Sequence, residues 1–516
     1  MSKWTTGGWP GRHVVELDLR ALAAFRVVFS IVLLLDCLTR WYDASAHYSD
    51  AGLLPRSLLL DAGWHANYLS LHMMNGQPGF VNLLFALQVA LAVALGLGYR
   101  TRVSTLLSWV FLLSVHNRNP WILNGGDVYA RVILFWMLFL PWGEIWSWDA
   151  RRGRSDLRWW MGRVDHENKS IRSIACVAVL TQICLVYWFA ALPKAHPSWV
   201  ADYSAIDVAL RLDSLVTPFG LAFREMASPY LPTLTWLVIM WEVVGPFLLW
   251  FPLDKGQTRT FALTVFASLH VGFELCFEIG YFPAYSLAIL IVLLPGWFWD
   301  RPLSKVTPRL DRLLGEPRNV PVRKLLIWPR RMAESFYLFL LIYISCWNFG
   351  NEQFRPGLWL PDSWDWIGYS LRLDQRWNMF SPSPPYQDGW WVVKGRRRSG
   401  KELNLVSPSE ALSWEKPDNI AGSYLTQRRR RWMMELRSTN DERLMASTCR
   451  YLCQKTNGPG RSLHEVQLVE LYYMLEMTEP DGTEREPVKL KLFEYDHFPP
   501  RPATPVNLNT SKEESP

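Results

Sequence analysis

The chain has 516 residues, a formal net charge of +7 at pH 7 and a hydrophobic fraction of 50%. Its mean hydropathy of +0.01 resembles that of a soluble protein, but this value averages two unlike regions. Residues 21–350 form a series of long apolar runs, whereas residues 351–516 are polar, charged and rich in proline. These regions exclude a uniformly soluble chain and predict a membrane domain followed by a water-facing domain.

Nine apolar segments have the composition of membrane-spanning helices, which need about 20 mostly apolar residues. They are residues 21–38, 80–97, 103–115, 127–142, 171–192, 231–251, 261–277, 284–299 and 334–347, of which the third and fourth are short. The first segment contains Arg26 and Asp36 and has no small-residue cleavage site, so we interpret it as an anchor and not as a signal peptide. The sequence thus predicts a polytopic α-helical membrane protein of about nine spans.

Basic residues in the loops predict the orientation of these spans, because cytoplasmic loops carry an excess of lysine and arginine. Three clusters stand out: Lys3, Arg12 and Arg20; Arg151, Arg152, Arg154, Arg158, Arg163 and Lys169; and Arg301, Lys305, Arg309, Arg312, Arg318, Arg323, Lys324, Arg330 and Arg331. Nine spans and a cytoplasmic N-terminus place all three clusters in the cytoplasm. The same arrangement places the C-terminal domain on the exoplasmic side.

Two further arginine runs, Arg396–Arg398 and Arg428–Arg431, fall in the exoplasmic region. We therefore do not expect a nucleic-acid partner. Solvated basic faces, close to anionic lipid headgroups, are the favoured interpretation of these runs.

The polar region predicts a mixed α+β exoplasmic domain at residues 351–498, after a transmembrane domain at residues 1–350. Gly350–Pro385 is dense in tryptophan, proline and aspartate, which suggests a fixed loop over the membrane. Apolar patterns predict strands at Trp390–Val393, Leu403–Val406, Val466–Met477 and Val488–Tyr495, and a helix at Thr439–Gln454. Residues 499–516 are expected to form a disordered tail.

Cys449 and Cys453 lie four residues apart in the predicted helix, and no histidine pair accompanies them at zinc spacing. We therefore predict no metal site, and a disulfide between the two cysteines stays an open alternative. The chain also contains no nucleotide-binding loop and no nucleophile elbow.

Charged residues within the spans are costly, so they are expected to face partners or functional sites. Asp36 and Arg131 lie at matching depths near the outer ends of the first and fourth spans, which predicts a structural ion pair. Arg26 lies deeper, and Glu242 in the sixth span is its candidate partner.

Lys194, His270 and Glu274 form the candidate catalytic set near the outer leaflet. Lys194 follows the fifth span, and His270 and Glu274 are four residues apart on one helix face, which Glu278 continues outward. A partly desolvated lysine can act as a base, and a histidine beside a carboxylate can relay a proton. The alternative is an interhelical salt bridge together with a packing histidine.

Several longer motifs stand out: the opening Phe25-Arg26 through Asp36 with Tyr48–Pro55, then His116–Pro120 and Leu123–Asp127, and Trp377–Pro382 with Asp388–Trp390. These motifs resemble the horizontally transferred transmembrane (HTTM) family, which includes relatives of vitamin K-dependent gamma-carboxylase. The resemblance extends over residues 19–495 and is closest to bacterial members. It therefore implies a bacterial cytoplasmic membrane as the location.

The carboxylase resemblance also implies a chemistry. Its catalytic lysine lies in a segment similar to Leu192-Pro193-Lys194, and a later segment is similar to His270, Ile279-Gly280 and Phe282. In the carboxylase that lysine deprotonates reduced vitamin K, and the oxygenated product then removes a glutamate γ-proton before CO2 adds. The resemblance thus implies a reduced quinone as cofactor, a lipidic pocket in the outer half of the membrane, and an exported protein or peptide substrate.

One departure separates this chain from the carboxylase. Gly125-Gly126-Asp127 stands where the carboxylase has an Asn-His pair, whose histidine helps to handle the carboxylation intermediate. Two hypotheses follow. The first is a lyase-like or quinol-oxygenating membrane enzyme with Lys194 as its base. The second is a non-catalytic lipid-binding or assembly protein that keeps the fold without the carboxylation chemistry.

Overall fold

The computed structural model describes residues 12–158, 160–315, 327–350, 360–406, 411–457, 465–479 and 483–497. Within these ranges a helix coincides with each of the nine predicted apolar segments. These helices are α1 (Leu19–Tyr42), α2 (Pro78–Leu97), α3 (Thr101–Arg118), α4 (Gly125–Met137), α5 (Ile174–Ala191), α6 (Leu231–Leu249), α7 (Gln257–Cys276), α8 (Phe282–Leu290) and α9 (Ile327–Gly350). The predicted tail at residues 499–516 lies outside the described residues.

Five helical stretches are long and apolar enough to cross a membrane. They are Leu19–Tyr42, Pro78–Leu97, Ile174–Ala191, Pro218–Leu249 and Pro329–Gly350. The other predicted spans are shorter or more polar. Helix α4 has 13 residues and buries nearly all of its side chains, and α3 buries a polar stripe that includes Ser104, Ser108 and Ser114. Helix α4 is thus enclosed by protein and need not present an apolar surface to lipid.

The ends of the helices follow from local chemistry. Asp18 caps α1 by accepting a hydrogen bond from the Arg20 backbone N–H at 2.8 Å. Gly98 ends α2 in the left-handed conformation, with φ of 67°, which costs least for a residue without Cβ. Asn124 begins α4 with a reciprocal capping box that includes Asp127.

The nine helices pack into one bundle with a continuous apolar core. Helix α1 contacts α2 and α8, α5 contacts α6 and α9, and α4 contacts α3 and α8. Short helices connect them: Arg12–Val15, Ala44–His47, Arg56–Ala62, Trp148–Arg151, Pro197–Val200, Ala205–Ala209, Pro218–Ala227, Gly296–Asp300 and Thr307–Leu314. A small antiparallel sheet of β1 (Glu16–Asp18), β2 (Arg163–Asp165) and β3 (Ser170–Arg172) has the order β1-β3-β2.

The C-terminal region is built on a four-stranded antiparallel sheet of order β5-β4-β6-β7. Its strands are β4 (Gln387–Arg397), β5 (Glu402–Asn404), β6 (Val466–Met477) and β7 (Val488–Asp496), so all four predicted strands are confirmed with shifted ends. Its helices are α10 (Asp365–Leu371), the short Ile420–Ser423, α11 (Gln427–Thr439) and α12 (Glu442–Thr456), and α12 packs on β6 and β7. Cys449 and Cys453 are buried in α12 as free thiols.

The arginine run at 428–431 was wrongly interpreted as a solvated basic face. It opens helix α11, and both Arg428 and Arg430 are buried against the membrane domain. Arg428 pairs with Asp36 and Arg429 with Asp43, while Arg430 Nη1 donates to the Ser214 carbonyl at 3.0 Å. The run therefore attaches the C-terminal region to the helix bundle.

Candidate functional site

Lys194 lies in the turn that follows α5. Pro193 has no backbone N–H and stops the helix, and the Lys194 backbone N–H donates to the Ala191 carbonyl at 2.9 Å. The side chain of Lys194 donates to both carboxylate oxygens of Glu242 on α6, at 2.9 and 2.7 Å. Both side chains are only 5% exposed. The lysine is therefore part of a desolvated ion pair.

Trp199 completes the immediate surroundings of the lysine. Lys194 Nζ lies 4.4 Å from the centroid of the Trp199 ring, a cation–π distance. The Trp199 indole N–H donates to the Phe380 carbonyl at 3.0 Å, which fixes the ring against the C-terminal region. The lysine side chain therefore contacts both the Glu242 carboxylate and an aromatic ring that the C-terminal region holds in place.

His270 lies on α7 and faces the bundle interior, where it is 2% exposed. Its Nε2 is 2.9 Å from the hydroxyl of Tyr187 on α5, and the Tyr187 ring stacks on Phe266. Its Nδ1 is buried without a hydrogen-bond partner among the described residues. The histidine thus has one satisfied and one free ring nitrogen.

Glu274 does not join these groups. It is exposed one turn beyond His270, and among the described residues it forms no ion pair. Lys194 pairs with Glu242, so the structure brings together Lys194 and Glu242, and separately His270 and Tyr187. The predicted relay from His270 to Glu274 has no contact to support it.

Both predicted ion pairs within the membrane were wrong. Asp36 accepts from Arg40 at 3.1 Å and pairs with Arg428, whereas Arg131 lies 3.0 Å from Asp374. The partners Arg428 and Asp374 belong to the C-terminal region. The prediction compared only residues within the spans, so it could not include them.

Arg26 also has other partners than the one predicted. Its guanidinium donates to the carbonyls of Trp142 and Trp146 in the loop after α4, the former at 2.7 Å. Glu242 instead forms its ion pair with Lys194. Depth along a span was the only available signal, and it does not report which way a side chain points around its helix.

A second buried ionic cluster surrounds Asp36, and we call it the interface network. It contains Asp36, Arg40, Asp43, Asp127, Arg428 and Arg429. Arg40 pairs with both Asp36 and Asp127, and His116 Nε2 lies 3.6 Å from Asp127. No role was predicted for the side chains of His116 and Asp127, although both lie in motifs that carry the family resemblance.

Gly126 has no room for a side chain. A Cβ built there would lie 2.7 Å from the backbone N and Cα of Phe282, closer than real Cβ contacts. Position 126 therefore cannot hold a histidine without moving the start of α8. The glycine therefore allows α4 to pack closely on α8.

The comparisons with known proteins give one match. A family model described as the HTTM domain matches residues 15–297, which include Lys194, Glu242, His270 and helices α1 to α8. No curated protein and no solved structure matches the chain.

Proposed function

Because the chain belongs to the HTTM domain family, we propose that it is a membrane enzyme that uses the Lys194–Glu242 pair as a base. The substrate would be a lipid-soluble acid such as a reduced quinone, bound from the outer half of the membrane. An exported protein or peptide would then approach from the C-terminal region. The single observation that carries this proposal is the desolvated Lys194–Glu242 contact beside Trp199.

The proton balance assigns a role to each partner. The ammonium of Lys194 first passes a proton to the Glu242 carboxylate, which leaves a neutral amine. The amine then takes the hydroxyl proton of the quinol, and the products are a quinol anion, an ammonium and a neutral carboxylic acid. Among the described residues, His270 contacts Tyr187 and neither Lys194 nor Glu242. We therefore assign it only a positioning role through Tyr187.

The test compares variants that keep the volume of the pair. We expect Lys194→Met combined with Glu242→Leu to remain folded, because an apolar pair of similar size can replace a buried ion pair. Quinol oxidation by the purified protein should nevertheless fall by about 100-fold or more, the usual effect of losing a general base. Lys194→Arg is the matched control: it keeps the positive charge, but arginine holds its proton too tightly to act as a base. Unchanged turnover in the folded double variant would exclude the proposal.

The topology that this chemistry requires is nine spans with a cytoplasmic N-terminus. The directions of the helices support it. Asp36 at the end of α1, Asp127 at the start of α4 and Lys194 after α5 all lie near the C-terminal region. Helices α1, α4 and α5 therefore point in alternating directions, as the first, fourth and fifth spans of the predicted series would.

Cysteine labelling in intact cells tests this topology. We expect Ser438→Cys, exposed in the C-terminal region, to react with a membrane-impermeant maleimide from outside. Arg152→Cys, exposed in the loop between α4 and α5, should react only after permeabilisation. The reverse pattern, or equal labelling of both, would refute the orientation.

The second candidate function is a non-catalytic lipid-binding or assembly protein, and the packing of Gly126 favours it. The backbone of Phe282 occupies the space that a side chain at position 126 would need. The chain therefore lacks a histidine there that could take part in a carboxylation step. This alternative predicts a lipid or quinone that co-purifies without being turned over. Native mass spectrometry of the detergent-extracted protein, followed by a turnover assay on the bound molecule, separates the two.

A further inference from the structure

A cavity of about 490 Å³ lies among α3, the end of α4 and the start of α9. This volume falls in the range of roughly 300–1,000 Å³ typical of ligand pockets. Apolar and aromatic side chains form most of its wall and include Leu106, Met137, Phe139, Phe336 and Tyr337. Neither Lys194 nor His270 lines the cavity, so it is separate from the candidate catalytic site.

The cavity lies at the end of the bundle that is remote from Lys194. Helix α3 runs from Arg102 at the cavity toward the interface network. Helix α9 meets the cavity near its start, at Ala333, and ends near Trp347, whose ring is 5.4 Å from that of Tyr369 in the C-terminal region. Lys194, in contrast, lies at the end that contacts the C-terminal region.

The charged groups in the wall of the cavity balance one another. Arg102 Nε lies 3.3 Å from a carboxylate oxygen of Asp156, and both residues line the cavity. The negative charge of Glu144 also acts on Arg102, whereas Arg158 does not line the cavity. Among the described residues of the wall, the one positive charge therefore meets one negative charge, and no excess is left to attract an ionic headgroup.

The uncharged polar groups of the wall also have partners within the protein. Thr105 Oγ1 donates to the Thr101 carbonyl at 2.6 Å and accepts from the Trp142 indole N–H at 3.0 Å. The Tyr337 hydroxyl donates to the Trp160 carbonyl at 2.7 Å. An occupant therefore needs no hydrogen-bonding group, because an apolar one leaves none of these partners unsatisfied.

The mouth of the cavity opens sideways, onto the surface that faces lipid. Two of its lining residues, Leu106 on α3 and Phe336 on α9, are 47% and 48% exposed. Val103 and Met332 lie one turn before them and extend the exposed apolar surface on the same helix faces. Since α9 is long and apolar enough to cross a membrane, a hydrocarbon chain reaches the mouth without crossing a polar layer.

From these observations we propose that the cavity binds one acyl chain of a membrane phospholipid and does not distinguish the headgroup. The bilayer supplies acyl chains directly at the mouth, whereas a water-soluble ligand would have to cross hydrocarbon to reach it. The chain lies beside Phe139, whose ring is 6.2 Å from that of Phe336 and 4.9 Å from that of Tyr337. It thereby completes the packing of α9 on α3 and α4. The inference does not depend on the proposed base chemistry, because the two sites share no residue.

Cavity-filling variants test the site by native mass spectrometry of the full-length protein in detergent, after exchange into phosphatidylcholine. Leu106→Trp and, independently, Ala333→Phe place a ring in the space of the chain, so each should lose one bound lipid relative to wild type. Leu107→Trp and Ser335→Phe add matched bulk on the same helices outside the cavity and should retain it. Thermal unfolding in the same detergent shows which variants fold, and either filled variant suffices. Equal retention by the filled variants and their controls would overturn the proposal.

The headgroup is tested by repeating this comparison with an equal mixture of phosphatidylcholine and phosphatidylglycerol of identical acyl chains. The lipid that wild type retains and Ala333→Phe lacks should be the two phospholipids in equal amounts, because the charges in the wall are balanced. A preference for phosphatidylglycerol in this fraction would overturn the proposal, since it requires recognition of the headgroup. Displacement of the phospholipid by an added neutral isoprenoid quinone would also overturn it and would assign the cavity to an isoprenoid tail.

Discussion

The Lys194–Glu242 pair and the interface network are both buried and ionic, but they differ in how many partners each charge has. In the pair, one ammonium meets one carboxylate, and their other neighbour is the Trp199 ring. In the network, Asp36 has both Arg40 and Arg428, and Arg40 also holds Asp127. A charge with several partners keeps some of them when one is removed, whereas a charge with a single partner keeps none. Removal of one partner should therefore destabilise the pair more than the network.

The largest effect is expected from breaking the pair on one side. Lys194→Met leaves the Glu242 carboxylate buried without a cation, and such a loss costs about 3–5 kcal/mol. The double variant Lys194→Met with Glu242→Leu should recover most of that stability. Thermal unfolding of the purified single and double variants measures the difference. If the single variant were as stable as the double, Glu242 would have another partner and the pair would not be isolated.

A smaller effect is expected from breaking the network at one point. Arg428→Met removes one of the two cations that hold Asp36, while Arg40 remains at 3.1 Å. The loss should be about 1–3 kcal/mol, the penalty of a partly unsatisfied buried group. Arg431→Met, on the same helix and 41% exposed, is the matched control and should be nearly neutral. If Arg428→Met lost as much unfolding free energy as Lys194→Met, Arg40 would not compensate for the missing cation beside Asp36.

The smallest effect concerns Asp388, at the attachment of β4 to the membrane domain. Burial raises the pKa of its carboxyl above the ordinary value of 3.8, although the Ser214 backbone N–H donates to it at 2.9 Å. The folded state then binds the proton more tightly than the unfolded state, so stability should fall as pH rises from about 3.8 through the raised pKa. Melting temperatures of wild type and Asp388→Asn across this window measure the effect. The asparagine variant should lack the slope, and an identical slope in both proteins would assign it to another group.

The sequence predicted the elements of the fold better than their contacts. Long apolar runs and alternating strands are local patterns, so a described helix coincides with each of the nine apolar segments and a strand with each of the four strand patterns. The ends were less accurate: α8 ends at Leu290, whereas its predicted segment extends to residue 299. Helix α11 was missed because it begins with the arginine run Arg428–Arg431, which masks the apolar pattern expected of a packed helix. Their burial depends on carboxylates near the N-terminus of the chain, which no local pattern reports.

The candidate site was predicted only in part, for the same reason. Lys194 was found from its place at the outer end of the fifth span and from a motif that resembles the family, and Glu242 was noticed as a membrane carboxylate but assigned to Arg26. Depth along a helix can be estimated from sequence, whereas the direction of a side chain around the helix axis depends on packing with the neighbouring helices. For this reason the contacts of Trp199 with Lys194 and of Tyr187 with His270 were recognised only from the structure.

The position of Arg40 also bears on how the protein is made. Asp36 and Arg428 are 392 residues apart, so at roughly 5–20 residues per second the cation from α11 is synthesised tens of seconds after the carboxylate. Arg40, four residues from Asp36 on the same helix, is available at once. The Asp36 carboxylate can therefore enter the bilayer already paired, which avoids the cost of inserting this charge alone. Attachment of the newly made C-terminal region then becomes the last step of maturation.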